Sequence, residues 1–316
     1  MRTTIRTLSL LAAGAFAATS AVAQDYPNRQ VNMVIPFPPG GNTDLMGRAL
    51  QAELAKALGQ SVVVINKGGA GGTLGVIEVS ATRPDGYTIG LTPNNPLTAQ
   101  PHVQKLPYSM DSFKYVCLSY YVPYVVMASP RAPFKTWQEF VTFSKAKNDN
   151  LIYASPGPGT QPHLGILSAL SAIKAEGVHV PFTGAGPMSQ ALLAGTVHAM
   201  SESTAVAKAS NLNVLATQTN ERIPSLSNVP TMKELGFPSE AFSAGGLIVP
   251  AATPDAVVAR LQKACQDAVA SDGYKAATEK LNATARFLPG PEFRKMFDAD
   301  SKANAEAVKK AGLVAK

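Results

Sequence analysis

The 316 residues contain only two cysteines and four histidines, and both shortages exclude chemistry. Cys117 and Cys265 form no CxxC pair, so zinc-ribbon and dithiol redox sites are ruled out. His102, His163, His179 and His198 make neither HExxH nor any His/Cys ligand spacing. A GxxxxGK[ST] phosphate loop is missing, and so is a GxSxG elbow. Gly69-Ala70-Gly71 is followed by Leu74 where the dinucleotide fingerprint requires glycine. No Lys/Arg-rich run with interleaved aromatics occurs, which argues against nucleic acid. With no nucleophile–base pair and no metal set, the sequence points to binding without catalysis and without a cofactor.

Hydrophobic residues make up 46% and charged residues 16%, values of a folded chain. The length is too great for one small core and suits two α/β lobes. The N-terminus reads as an export leader. Arg2 and Arg6 form a positive start, Leu8 to Ala18 a short apolar stretch, and Ala21-Val22-Ala23 a small-residue cleavage site. The apolar stretch is too short for a permanent anchor, although a buried N-terminal helix is an alternative. Residues 1–23 are thus expected to be a signal peptide, giving a soluble periplasmic protein that starts at Gln24. Removing Arg2 and Arg6 from 28 basic residues leaves 26 against 21 acidic, a net +5 that attracts anions mildly.

Beyond the leader, strand-like and helix-like runs alternate. Val31 to Phe37, Val62 to Ile65 and Tyr87 to Thr92 read as strands, with a helix over Thr43 to Leu58 between the first two. Val62 to Ile65 is wholly apolar and is expected to be central in a parallel sheet. Tyr115 to Met127 is long for one strand and contains Pro123, as expected of a segment leaving one sheet for another. The expected fold is α/β, with lobes at 25–122 plus 244–316 and at 123–243, and a ligand cleft between them. A disulfide between Cys117 and Cys265 is one reading of the two cysteines, and two buried free thiols is the other.

Three loops suit an anion. Phe37, Gly41, Asn42 and Thr43 lie in a Pro/Gly loop between a strand and a helix, where free N–H groups would point at a ligand. Asn42 or Thr43 could equally cap the helix. Ser155, Gly159, Thr160 and His163 repeat this design, with His163 also suited to bracing the loop. Gly184-Ala185-Gly186-Pro187-Met188 opens a third helix, and Glu202 follows a strand as a ligand acceptor or a cap.

Taken in order, these stretches resemble one family. They are Val34-Ile35-Pro36-Phe37-Pro38-Pro39-Gly40-Gly41 with Thr43-Asp44, Ala57 to Val64, Gly69 to Gly72, and Pro84-Asp85-Gly86-Tyr87-Thr88. Leu106-Pro107-Tyr108, Gly159-Thr160 with His163-Leu164, Val180-Pro181-Phe182 and Pro224 to Thr231 follow collinearly. The chain is similar to the Bug-type receptors, the extracytoplasmic substrate-binding proteins of tripartite tricarboxylate transporters. The resemblance implies a type II periplasmic binding fold, with two chain crossovers, that closes on a small organic carboxylate. It also implies membrane permease subunits as partners and a monomeric receptor. Phe37, Gly41, Asn42, Thr43, Ser155, Gly159, Thr160 and His163 would grip one carboxylate, partly through water. Asn94, Asn95, Leu97, Ala185, Gly186, Met188 and Glu202 would read the far end. A ligand sensor serving a signalling partner is the second reading, and an α/β enzyme the third.

The chain departs from the family in the part expected to read the distal end. Thr183 stands near a common lysine, Glu202 near a common aspartate, and Phe242-Ser243-Ala244-Gly245-Gly246 lacks an aromatic pair. That small-residue run suggests a longer cavity and a dicarboxylate with a flat body, such as terephthalate. If the run only packs at the hinge, a short aliphatic acid fits instead. Mass spectrometry of exported protein should find Gln24 as the first residue, and an intact Met1 on periplasmic material would refute the leader.

Overall fold

Short apolar strands alternate with helices from the start of the described residues. The computed structural model describes residues 26–146, 151–237 and 240–314, so the expected leader lies outside the described residues. The opening elements are β1 (Val31–Ile35), α1 (Asn42–Leu58), β2 (Val62–Asn66), α2 (Thr73–Ala81) and β3 (Thr88–Pro93). β1 lies between β2 and β3 and pairs with both in parallel. Gly59 ends α1 in the left-handed region at φ 71°, the conformation that glycine adopts without a Cβ penalty. β2 is an edge strand rather than a central one, and Val63 is 37% exposed. Its β-branched run satisfies the strand backbone at any place in a sheet, so apolarity alone does not encode position.

Two short helices, α3 (Asn95–Thr98) and α4 (Gln100–Val103), lead to β4 (Phe113–Ala128), which is 16 residues long. The second half of the fold repeats the alternation with α5 (Trp137–Lys145), β5 (Leu151–Ser155), α6 (Gln161–Ala172) and β6 (Gly177–Pro181). It continues with α7 (Ala185–Ala194), β7 (Ala199–Ser203), α8 (Thr204–Ala209) and β8 (Asn213–Thr217). β5 pairs in parallel with β6 and β7. The chain then returns through β9 (Phe242–Pro250) to α9 (Asp255–Ala270), α10 (Asp272–Lys280), β10 (Thr284–Pro289) and α11 (Gly290–Lys310). The strand order is β2-β1-β3-β9-β4-β7-β5-β6, with β8 and β10 also paired to β4.

β4 joins the two halves because it changes partners along its length. Phe113 to Pro123 pair antiparallel with β9, while Tyr124 to Ala128 pair with β7. Pro123 sits where one partner ends and the next begins, a place where a missing N–H interrupts no continuous ladder. β10, which the sequence pattern did not reveal, adds an antiparallel strand on β4 with its residues mostly half-buried or exposed. One core packs Leu50, Leu54 and Leu58 of α1 with Leu261 and Cys265 of α9, and another joins Phe134, Trp137, Phe140 and Ile166.

Cys117 on β4 and Cys265 on α9 are joined by a disulfide, with Cα atoms 6.6 Å apart and a sequence separation of 148. A loop that long restricts the unfolded chain strongly, by about 5 kcal/mol in the chain-entropy description. Replacing both cysteines with alanine should lower unfolding stability by about 2–5 kcal/mol. Urea titration of the variant against wild type with and without reductant checks this, and equal midpoints would refute it.

Candidate functional site

The loop between β1 and α1 is held in shape by a buried carboxylate. Asp44, 2% exposed, accepts hydrogen bonds from Gly40 N at 2.9 Å, from Arg48 Nε at 3.0 Å and from Asn66 Nδ2 at 2.9 Å. Asn66 Nδ2 also reaches Phe37 O at 2.9 Å, so β2 clamps both ends of the loop. Burial works to raise the Asp44 pKa, but the bonds from Arg48, Gly40 and Asn66 outweigh it and hold the carboxyl below its ordinary value. Gly40 takes φ 82°, which favours glycine. Gly41 precedes α1 without a side-chain cap, so neither Asn42 nor Thr43 serves the capping alternative.

The loop before α6 is built from its own polar groups. Thr160 Oγ1 donates to Gly157 O at 2.7 Å, and Gly157 N donates to Ser155 Oγ at 3.1 Å. Gly159 N donates to His163 Nδ1 at 3.1 Å, and Ser155 Oγ lies 2.6 Å from His179 Nε2. The His163 ring stacks on His179 at 4.2 Å, and burial, aided by His179, pushes its pKa down to about 4. His163 is therefore neutral at physiological pH, accepts a hydrogen bond through Nδ1, and braces the loop. Thr160 precedes α6 and Gly184 precedes α7, again without side-chain caps. The first and third loops touch closely: a Cβ on Gly184 would lie 2.9 Å from the Pro38 ring.

A cavity of about 40 Å³ lies among the three helix starts. Of the expected site residues, Phe37, Gly41, Asn42, Thr43, Asn94, Asn95, Thr160, Ala185 and Glu202 border it. Ser155, Gly159 and His163 shape a loop from behind, while Leu97 and Met188 are core side chains. Gly186 lies against the first loop, where an added Cβ would be 3.3 Å from Pro39 O. Pro93, Tyr124, Pro156, Gln161 and Pro162 also border the cavity and were not anticipated, and Ser243 borders it from the small-residue run expected to shape it. Tyr124 and Ser243 sit on the two strands that cross between the halves, so the crossing itself was the signal for them. Gln161 and Pro162 simply continue the helix start that Thr160 announced.

The halves meet around this cavity. Asn95 Nδ2 donates to Gly159 O at 2.9 Å, Gln100 Nε2 to Pro158 O at 3.1 Å, and Thr204 Oγ1 to Asn282 O at 2.7 Å. No lysine or arginine is among the described residues bordering the cavity. Positive potential there comes from the N-terminal ends of α1, α6 and α7, whose first N–H groups have no intrahelical partner. Both polar side-chain atoms of Asn42, and Oδ1 of Asn95, are buried without a hydrogen-bond partner. Asn94 is engaged elsewhere: Nδ2 donates to Asp300 at 2.9 Å and Oδ1 accepts from Ala244 N at 3.4 Å. Glu202 is 3% exposed, and burial pushes its pKa up to about 7 despite a bond from Ser203 N at 2.7 Å.

This arrangement can hold a small anion by neutral donors, and it offers no catalytic group set. A family sequence model described as the tripartite tricarboxylate transporter family receptor matches residues 46–313. The chain belongs to this family. The receptor is 30% identical over 302 residues to protein BugT of Bordetella pertussis, covering 91% of this chain and 92% of that one. Its fold matches that of MatC from Rhodopseudomonas palustris with bound malate at a TM-score of 0.82. The identity is 30%, with 90% of this chain and all of that one covered. A second R. palustris protein, solved with adipate, matches at 0.87 and 25% identity, over 92% of this chain and all of that one. Such proteins are periplasmic solute-binding receptors with a two-lobed fold, not enzymes, and this chain is one.

The Asp44 brace gives the receptor a defined acid sensitivity. A carboxyl whose folded pKa is depressed contributes stability that is present above the unfolded value and is lost as pH falls through the folded one. Asp44→Asn should therefore be less stable than wild type at pH 7, and the gap should close below the ordinary carboxyl value of 3.8. Thermal melts across pH 3–7 check this, and a gap that stays constant with pH would refute it.

Proposed function

We propose that the receptor captures a small dicarboxylate in the cavity between its halves and delivers it to the membrane subunits of a tripartite transporter. The observation that carries this reading is Asn42. Its amide is buried at the start of α1 with both polar atoms unpaired, a state that costs about 1–3 kcal/mol per group unless a ligand supplies partners. The adjoining N–H groups of α1 and the start of α6 make a carboxylate the fitting partner. The periplasmic site of action follows from the expected leader, cleaved after Ala23. The receptor acts as a monomer whose lobes, 25–122 with 244–316 and 123–243, move about the two crossing strands.

We favour a short aliphatic diacid over an aromatic one. The run Ser243 to Gly246 does not widen the cavity, because its small residues let β9 lie tightly on β4. A Cβ on Gly246 would collide with Cys117 O, and one on Gly245 would come within 2.5 Å of Tyr120. Only Ser243 of that run borders the cavity. The related structures with malate and adipate support the same ligand class.

Titration calorimetry with malate, adipate, citrate, glutamate and terephthalate tests this reading. An aliphatic diacid should bind best, and a preference for terephthalate would restore the aromatic alternative. Asn42→Ala should weaken the best ligand roughly ten- to hundredfold, the loss of a hydrogen bond to a charged group. Its unliganded melting temperature should be unchanged or higher, because two unpaired buried atoms are removed. Unchanged affinity would show that the ligand sits elsewhere.

A further inference from the structure

Glu202 is the one acidic side chain bordering a cavity that the proposed function assigns to an anion. A charged carboxylate there would face the ligand's own charge with no lysine or arginine to offset it. The elements packed on β7 supply no cation at close range. β4 brings the phenols Tyr120 and Tyr124, β5 brings Tyr153, and α6 brings the neutral His163. Lys208 of α8 is exposed to solvent, and α7 carries no ionisable group. The nearby first turn of α1 holds Asp44, whose carboxylate is turned to Gly40, Arg48 and Asn66. Tyr120 and Tyr124 are kept neutral by burial and by Glu202 itself, with Tyr120 pushed up to about 12.

Resting on the proposed function, we propose that Glu202 reads the far end of the ligand as a neutral carboxylic acid. It donates a hydrogen bond to a distal oxygen acceptor, so a receptor whose Glu202 is ionised takes one proton from solvent onto that carboxyl as it captures a diacid. The balance is simple: one dianion and one proton enter, and no covalent bond changes. The value of about 7 in the unliganded protein means that the proton costs little to add near neutrality. A bound anion raises that value further, so binding is strongest below pH 7 and weakens as pH rises above it. A ligand ending in an ammonium group would want the opposite state of Glu202 and would release a proton rather than take one up. The sign of the proton exchange therefore tells the two ligand classes apart, with no fixed cation involved.

The test is calorimetric titration of the mature receptor with adipate at pH 7 and pH 8, in buffers of different ionisation enthalpy, which counts protons exchanged. Uptake of about half a proton at pH 7, rising toward one at pH 8, is expected. Affinity should fall about tenfold per pH unit above 7. Glu202→Gln, neutral and of the same shape, should bind adipate with no proton uptake and with affinity independent of pH. Adipate binding to wild type without proton uptake overturns the inference and leaves the carboxylate receptor standing. Undiminished uptake in Glu202→Gln also overturns it, because the proton would then go elsewhere. If none of the five carboxylates binds, the proposed dicarboxylate reading falls, and this inference with it. The wild-type proton count decides the matter even if the variant fails to fold.

Discussion

An anion can be held without a cation only if the neutral dipoles around it are already aimed, because turning them at the moment of binding would consume most of the gain. The first loop meets that demand through one buried carboxylate. Asp44 fixes Gly40, draws in Asn66 and, through it, the Phe37 carbonyl, so the start of α1 faces the cavity in a set orientation. The second loop meets it differently, with Ser155, Thr160 and His163 each bonded to the loop's own backbone at Gly157 or Gly159. In the second loop, side chains that look like ligand contacts are the frame and the backbone they hold is the surface offered, whereas in the first the Asn42 amide stays unpaired beside the framed backbone.

That division explains what was legible beforehand. The Pro/Gly loops announced themselves because prolines and glycines at a strand-to-helix junction have few other uses, and the helix starts expected at Thr43 and His163 fall within two residues of the observed Asn42 and Gln161. The Pro123 interruption marked the place where β4 changes partners. Tyr124 was not legible as a cavity residue, since β4 meets β9 only through pairings between segments far apart in the chain. The edge position of β2 was hidden because an apolar run reads the same at the centre and the rim of a sheet. β10 was hidden because Thr284–Pro289 has too weak an alternation to stand out. The direction of each polar atom in the loops could not be read from residue type, and that is what separates Asn42, unpaired, from Asn94, engaged with Asp300.

The glycines of β9 show how much the sheet constrains the cavity. At Gly245 and Gly246 the backbones of β9 and β4 approach so closely that a methyl group would strike Tyr120 or Cys117 O. Tyr120, fully buried, then occupies the room that larger residues on β9 would have filled, with its hydroxyl 3.5 Å from Thr43 Oγ1. At this end the Tyr120 ring and the close approach of β9 to β4 together limit the room.

The Cys117–Cys265 bond has a topological effect beyond stability. It ties the chain before β5 to the chain after β8, so everything from α5 to β9 lies inside one covalent ring. A single proteolytic nick at an exposed turn inside that ring would leave both fragments tethered. The molecule would keep its mass until a reductant arrived, and its two cleft faces would stay within reach of each other. Outside the cytoplasm, where proteases are common and thiols are oxidised, a receptor closed in this way can be cut once and still remain one molecule.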